Sequence, residues 1–566
     1  MLSVSGKNWE EIKVSNRILD KLKNEKNFSE IVSKIIISNN FNDFEINTLK
    51  EKISLLNPFY KTKDFIVATN ILKNSLNNND KIIILGDYDV DGCVSTSLLV
   101  NFLNKLDYKF FSYYVPNRFR DGYGASLNLI KNLEIQKPNL IILTDCDSTS
   151  NDAINYLQSK KIKTIIIDHH EINKPYPKAD CIINPKKTID YSNFNYVCAS
   201  LLVYFFIDTF IKRNKIKINF SQYLPHVLLS SITDVMPLRK LNRVLALEVF
   251  NNQQNISLFN KFLEINKILR PLEISDFGYL IGPILNSAGR LGDPNVVVDL
   301  LTTKNSLHKE KIIKKLINTN EKRKKIEKDS LNEINLSKVK KNSNNVLVLS
   351  EKIFNEGIIG IVAARIKEYF NKPCIIITKS SNSYKASARS TSNFNIGKYI
   401  KEAIDNKLLL NGGGHNLAAG FSIDKSKIKD FEKFINKKFN EKNIILKNKY
   451  ISKLSLNAVS TDFYNELEVL APFGHEHKRP VFLIENVKII KPRILKDKYI
   501  SFFVKSKFGK LVQGFSFNIL ESAINNTLLN DRNQLSLIVQ FKQNNWKNKK
   551  KLQLMLLDII DLSNKA

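Results

Sequence analysis

Three apolar runs early in the chain each end in acid. Lys81-Ile82-Ile83-Ile84-Leu85 runs into Gly86-Asp87-Tyr88-Asp89-Val90-Asp91-Gly92, Asn139-Leu140-Ile141-Ile142-Leu143 into Thr144-Asp145-Cys146-Asp147, and Thr164-Ile165-Ile166-Ile167 into Asp168-His169-His170. Unbroken β-branched and leucine stretches of this length suit strands covered on both faces, as in a parallel sheet. Such a sheet needs helices packed against it, which restricts the chain to an α/β architecture. Ligands of open parallel sheets bind at the carboxyl ends of the strands. Neighbouring strands would therefore aim several carboxylates and two imidazoles, His169 and His170, into one crevice. Charge of one sign gathers only against compensation, and divalent cations supply it most simply. The expected chemistry is metal-dependent hydrolysis.

At 566 residues the chain exceeds what one hydrophobic core serves, so several domains are expected. Its formal net charge of +32 favours polyanionic partners and speeds their encounter. The composition is rich in Lys, Asn and Ile throughout, so charge adds weight to the motifs without deciding for nucleic acid alone. The longest apolar stretch, Val197–Ile207, has the length of a core element and falls short of a membrane span. The cysteines (Cys93, Cys146, Cys181, Cys198, Cys374) are odd in number and scattered. They lack C-x-x-C spacing, which argues against a disulfide framework or zinc ribbon and for a reducing compartment. The opening residues lack the grammar of a secretory signal, and a cytoplasmic location with no membrane partner is expected.

Residues 1–75 read as an amphipathic helical segment, with Phe65, Ala68, Ile71 and Leu72 on one face, packed on the lobe that follows. Residues 76–303 alternate strands and helices. Residues 304–341 are dense in Lys and Glu, with Ile312, Ile313, Leu316 and Ile317 at helical spacing. They predict a long, mostly exposed connecting helix. A second α/β unit is expected over 342–440, with a buried strand at Cys374–Thr378 and glycine-rich turns at Gly357–Gly360 and Gly412–Gly414. Over 450–566 the strands become short and alternating: Val481–Ile490, Tyr499–Lys505, Leu511–Phe517, Gln534–Phe541 and Lys551–Ile560, with a helix-like piece at Asn518–Ala523. That spacing suits a small five-stranded barrel. The predicted fold class is α/β: two α/β lobes joined by a long helix and followed by a C-terminal OB-like barrel.

Asp87-Tyr88-Asp89-Val90-Asp91-Gly92 opens like a calcium loop, but that loop requires Glu at its twelfth position, where Leu98 stands. It also follows a strand rather than a helix, so the calcium-loop reading is set aside. Adjacent histidines on extended backbone point opposite ways, so one of His169 and His170 is expected to face a metal. Histidine with carboxylates favours manganese or magnesium over thiolate-bound zinc.

In order along the chain, these motifs resemble those of the DHH phosphoesterases, and within that family the branch of single-strand-specific exonucleases. Gly86–Gly92, Thr144–Asp147 and Asp168-His169-His170 match the first three motifs, and Ser231–Leu238 with Asn242-Arg243 the fourth. Segments of the same branch recur at Val115–Phe119 with Gly122-Tyr123-Gly124, and at Gly282-Pro283 with Asn286-Ser287-Ala288-Gly289-Arg290. The second lobe resembles the accessory DHHA1 domain through Gly357–Ala363, Lys385–Ser390 and Gly412-Gly413-Gly414-His415 with Ala418-Ala419-Gly420. Pro472-Phe473-Gly474 and Pro480-Val481-Phe482 resemble the start of that branch's OB-fold.

The resemblance implies roles residue by residue. One Mn2+ or Mg2+ ion would lie on Asp89, Asp145, His169 and Asp234, and a second on Asp87 with Asp145 shared. Asp91, acting through water, and Asp168 would support these ligands, while His170 would face the phosphate. Arg290, Ser387, Arg389 and His415 would bind the 5′-terminal phosphate. Tyr499, Phe502, Phe503, Phe515 and Trp546 are candidates for stacking on bases. The implied activity is metal-dependent 5′ to 3′ degradation of single-stranded DNA to mononucleotides in recombination and repair. The implied enzyme is a monomer whose expected partners are single-stranded-DNA-binding protein and a repair helicase. Asp147, Ile284 and Ala386 depart from the family pattern, the last two at positions of DNA-end contact. Two alternatives stay open. One is a DHH phosphodiesterase for short oligonucleotides or cyclic dinucleotides, against which the barrel argues. The other is an inactive single-strand-binding scaffold, against which the complete ligand set argues.

Overall fold

The computed structural model describes every residue except 52, 123, 147, 149, 188–190, 253–255, 342, 351–353, 381–382, 441–446, 497–498, 519–521, 531–533, 547–548 and 561–566. The first lobe is built on parallel strands β1 (Ile82–Leu85), β2 (Phe111–Tyr114), β3 (Leu140–Thr144), β4 (Lys163–Ile167) and β5 (Cys181–Ile183). They lie in the order β2-β1-β3-β4-β5. Every residue of β1 and β3 is buried, as their unbroken apolar runs require. Successive side chains serve opposite cores. Ile82 and Ile84 pack with helices α1 (Val90–Lys105) and α2 (Ala199–Arg213), whereas Ile83 and Leu85 pack with Leu129 and Ile154. The register aligns Leu85 with Leu143 and Leu143 with Ile166, so the three acid-tipped strands end level. Helices α3 (Leu224–Thr233), α4 (Lys240–Asn251) and α5 (Gly282–Leu291) complete the lobe.

The connecting helix α6 runs over Ser306–Glu333, shorter than the expected 304–341, and of the four apolar residues at helical spacing it buries Ile312, Ile313 and Leu316. It also buries Arg323 and Glu327. Glu327 accepts from Arg323 at 2.6 Å and from Arg365 of α7 (Ile359–Phe370) at 3.0 Å, which ties the second lobe to the connector. The second lobe carries β6 (Leu347–Ser350), β7 (Cys374–Lys379), β8 (Tyr384–Arg389), β9 (Asn411–His415) and β10 (Ala418–Ile423), in the order β9-β10-β8-β7-β6. One expectation is overturned here. Gly412–Gly414 is not a turn but most of the edge strand β9, paired antiparallel with β10. A Cβ on Gly412 would stand 2.5 Å from Cβ of Phe421, and one on Gly414 2.5 Å from Cβ of Ala419. Only glycine lets the edge lie so close.

The C-terminal strands β11 (Phe482–Leu495), β12 (Tyr499–Lys505), β13 (Leu511–Ser516), β14 (Leu535–Trp546) and β15 (Lys549–Ile560) run in the order β11-β12-β13-β15-β14, and β14 pairs back onto β11. This is the closed five-stranded barrel expected, with a short strand, Lys453–Leu454, added alongside β11. A helix spans Ala523–Asn530; half of the piece expected at Asn518–Ala523, residues 519–521, lies outside the described residues.

The N-terminal segment corrects a second expectation. The stretch Asn57–Phe59 and the helix Lys63–Asn77 pack on the first lobe, through Phe59, Phe65, Ala68 and Leu72, and Glu45 pairs with Arg239 of that lobe. Leu22, Phe28, Val32, Ile35 and Ile36 instead share a core with the barrel residues Ile484, Val487 and Leu535. The strand Asn8–Glu11 pairs with Lys447–Tyr450, and Trp9 donates its indole N–H to Asp558 at 2.9 Å. Periodicity shows that a helix has an apolar face but not which distant surface covers it. Among the described residues no helix is long and apolar enough to cross a membrane.

Candidate metal centre

Each acidic motif sits where its strand ends. The strand order reverses between β1 and β3, the place where open parallel sheets leave a crevice. Asp87 and Asp89 follow β1 and Asp145 follows β3 on the two sides of that point. Asp89 caps α1, its Oδ1 accepting the N–H groups of Asp91 at 2.9 Å and Gly92 at 3.1 Å. Gly92 is required because a Cβ there would lie 2.4 Å from the Asp87 carbonyl oxygen. Asp145 adopts a left-handed backbone, φ 62°, which Asp tolerates better than most residues. Asp234 arrives from the end of α3.

The imidazole of His169 joins them. Its Nε2 is 3.3 Å from Asp145, 3.3 Å from Asp234 and 3.9 Å from Asp91. Ligand-capable atoms of Asp87, Asp89 and Asp145 lie within 4.8 Å of one another, as do those of Asp91, His169 and Asp234, and those of Asp145, His169 and His170. Asp145 therefore belongs to two neighbouring groups. Asp87 Oδ1, Asp145 Oδ1, His169 Nε2 and Asp234 Oδ2 are all buried without a hydrogen-bond partner. Burial, and then the adjoining carboxylates, hold Asp87, Asp145 and Asp234 well above the usual carboxylate range. Burial also pushes His169 down to about 3, leaving a neutral imidazole able to ligate. A set of orphaned oxygen and nitrogen donors around one point fits divalent cations and little else.

The supporting residues are engaged elsewhere. Asp91 accepts the N–H groups of Ala199 at 2.7 Å and Ser200 at 3.0 Å, so both its oxygens hold the first turn of α2. Burial and then Asp89 raise it to about 6. Asp168 accepts from the backbone of His169 and His170 and lies 2.8 Å from His170 Nδ1. Burial disfavours its charge, but the hydrogen bond and charge of His170 outweigh that and hold it well below the usual range. Burial likewise disfavours the charged form of His170, but Asp168 outweighs it and lifts the imidazole to about 9. The surroundings thus shift the two imidazoles in opposite directions, His169 toward the neutral form and His170 toward the cation. They do not point apart as extended backbone would dictate: the chain bends at His170 and the ring centroids lie 4.6 Å apart.

The centre opens into a pocket of about 250 Å3 lined by Asp87, Asp89, His170 and Arg290. On one side lies a cavity of about 780 Å3 between the lobes, lined by Tyr88, Arg118, Arg290, Ser387, Arg389 and the β9 glycines. Burial, and then Arg118 and Arg389, push Arg290 down to about 10. Arg290 donates to the Gly357 carbonyl at 3.1 Å, and Arg118 stacks 4.3 Å over the Tyr88 ring. Cations crowded in this way call for an anion. The motifs single out Ser387, Arg389 and Arg290; they give Arg118 and Tyr88 no role, although both lie inside quoted segments. His415 is not part of this lining, but burial and then the charges of Lys186 and His170 lower it, so it stands near the centre. Ile284 is buried in the core and presents nothing to the groove, whereas Ala386 lines it. On the barrel, Phe502 is core, which removes it as a stacking candidate. Tyr499, Phe515 and Phe517 form an aromatic group on the outer surface, Tyr499 and Phe517 stacked at 5.1 Å. Asp147, Tyr123 and the side chain of Trp546 lie outside the described residues.

The chain matches the DHH family N-terminal domain over residues 81–232, the DHHA1 domain over 343–441 and the RecJ OB domain over 452–558. It is 30% identical over 390 residues to the single-stranded-DNA-specific exonuclease RecJ of Haemophilus influenzae, covering 65% of this chain and 68% of that protein. It is 27% identical over 542 residues to that of Salmonella typhimurium, covering 90% and 92%. In fold it is similar to the crystal structure of RecJ in complex with Mn2+ from Thermus thermophilus, with a TM-score of 0.83 at 20% identity over 98% of this chain and 79% of that one. The two lobes and the C-terminal barrel are thus shared features of the fold, and the chain belongs to the RecJ family of DHH proteins.

Proposed function

We propose that this chain is a metal-dependent exonuclease that degrades single-stranded DNA from its 5′ end. The observation that carries this reading is the convergence of Asp87, Asp145, His169 and Asp234, whose buried ligand atoms have no hydrogen-bond partner. Asp145 would be shared between two ions, with His169 and Asp234 on one side, Asp87 on the other and Asp89 adjoining. The relatives bear the name of single-stranded-DNA-specific exonuclease, and Thermus thermophilus RecJ has been crystallised with Mn2+ and with Mg2+. Divalent cations at this centre would lower the pKa of an attacking water and neutralise charge on the phosphate.

The chain's own residues do the rest. Asp168 fixes the His170 ring and keeps it charged, so that it offers a hydrogen-bonding cation where negative charge develops. Arg118, Arg290 and Arg389 receive the 5′-terminal phosphate, for which the guanidinium fork is well shaped. Asp91 fixes α2 against the motif-one loop and so keeps the ligands in register. A groove between lobes, walled by the barrel, admits one strand.

Single strands labelled at either end test this directly. With Mn2+, the 5′ label is expected to be released first as a mononucleotide while duplex of the same sequence persists. Loss of the 3′ label first, or equal attack on duplex, would remove the polarity or the strand preference.

A further inference from the structure

Two cavities flank the metal pocket: the arginine-lined one and another of about 810 Å3, which shares Thr233, Asn286 and Arg290 with it. A further cavity, of about 580 Å3, has no lining residue in common with any of these three. It lies at the far ends of two helices that carry the candidate ligands. Helix α1 starts at its cap Asp89, and its last turn supplies Asn104 and Lys105 to the cavity wall. Helix α3 ends at Asp234, while Tyr223 and His226 at its start line the same cavity. The 16 residues of α1 span about 24 Å, so the two places are separate.

The lining is basic and short of acid. Asp107 is the one carboxylate among the described lining residues, and Lys109 stands 3.6 Å from it. Among the described residues Lys105, Lys304 and Lys309, which also line the cavity, have no carboxylate partner. Lys309 is half-buried, and burial and then the charge of Lys261 lower its pKa, so its charged neighbour is another cation. His226 is 9% exposed, and its Nδ1 is buried without a hydrogen-bond partner. Burial and then Lys309 push this imidazole down to about 4, against a weaker pull from the Tyr223 carbonyl. Helix α3 opens with no side-chain cap and no acid in its first turn, so its positive end adds to the field. Tyr223 and the buried Leu258 and Leu301 contribute apolar surface.

We infer that this cavity binds a small molecule bearing linked phosphates, held by Lys105, Lys304, Lys309 and the His226 imidazole. Its volume falls in the range of small-molecule sites, about 300–1,000 Å3. Lysines meet phosphate as point charges, and several around one hollow suit several phosphates. A nucleoside polyphosphate would add its ring against Tyr223 and Leu258, whereas inorganic pyrophosphate would use the cations alone. A nucleic-acid backbone fits less well, because the cavity shares no wall with those beside the metal pocket.

A local probe tests the site. The five native cysteines are buried, so a thiol introduced at the exposed lining residue Asn104 reports on this cavity and not on the arginines. The full chain carrying Asn104→Cys is labelled with a maleimide at constant ionic strength in EDTA, with ATP, pyrophosphate or an oligonucleotide lacking a 5′ phosphate. ATP is expected to slow labelling several-fold at saturation. Adding Lys105→Gln and Lys309→Gln should raise the concentration for half-protection about tenfold or more, the scale of losing hydrogen bonds to charged groups. Lys304→Glu, a single change at an exposed side chain, should weaken ATP in the same direction and decides the matter if the double variant melts early. Equal protection by pyrophosphate would assign recognition to the phosphates, and tighter protection by ATP would add the ring; either supports the site. No protection by ATP or pyrophosphate, or protection that the lysine substitutions leave unmoved, would overturn it. Protection by the oligonucleotide in preference to ATP would overturn it too, in favour of a nucleic-acid track.

Discussion

Asp145 is the residue on which the centre turns, because it alone among the described residues belongs both to the group with Asp87 and Asp89 and to a group with His169. Its neighbours can be read from strand ends, but its left-handed backbone cannot. Asp145→Ala should lower turnover by at least about 10²–10³-fold, the scale of losing one group that meets developing charge, while single-strand affinity changes only a few-fold. Rates on a labelled oligonucleotide and a separate binding titration check the two halves. Mn2+ should also raise the thermal midpoint of wild type more than that of the variant, since ligands bound only by the folded state stabilise it. At this scale the sequence is informative for the carboxylates and the imidazoles, whose types and order suffice. It is silent on Arg118, since an arginine in a loop shows its role only when Arg290 and Arg389 gather round it.

Among the elements, β9 shows why glycine is hard to read. Strand signals rest on side chains alternating between faces, and three glycines carry no such signal. The pairing that makes them a strand comes from β10, whose Ala419 and Phe421 crowd the space a side chain would need. Gly414→Ala would bring a Cβ within 2.4 Å of the Ala418 carbonyl oxygen, so the edge must shift. The expected result is a raised KM for 5′-phosphorylated strands with kcat within a few-fold, because Gly414 lines the arginine cavity and not the metal pocket. Helix α1 is the opposite case. Its start is legible as strand, acid and glycine in sequence, because Asp89 both caps the helix and faces the centre.

At the scale of the molecule, the first lobe and the barrel meet at a buried polar seam. Arg243 of α4 is 2% exposed and donates to the carbonyls of Leu470 at 2.9 Å and Ala471 at 2.6 Å. Beside it His477 is buried, with Nε2 on the Leu470 carbonyl at 2.7 Å, and burial pushes its pKa down from 6.5 to about 4. The unfolded chain then binds the proton more readily, so stability is complete above about pH 6.5 and is lost as pH falls toward 4. The full shift is worth about 3 kcal/mol. His477→Gln keeps a donor for Leu470 but does not titrate, so its thermal midpoint should fall less than wild type between pH 7 and 5. Parallel curves would reject the role of His477. His226, buried in the first lobe and also pushed to about 4, adds a loss of the same sign to both proteins. The α/β class, the barrel, the connecting helix and the candidate ligand carboxylates are legible in the sequence, because unbroken β-branched runs, alternation, charge density and ordered acidic motifs are local signals. It took the tertiary structure to show that the helices over residues 16–38 pack with the barrel, that Gly412–Gly414 is an edge strand and that two cavities flank the centre. Those outcomes depend on which distant surfaces exclude water together, and no local pattern encodes that choice.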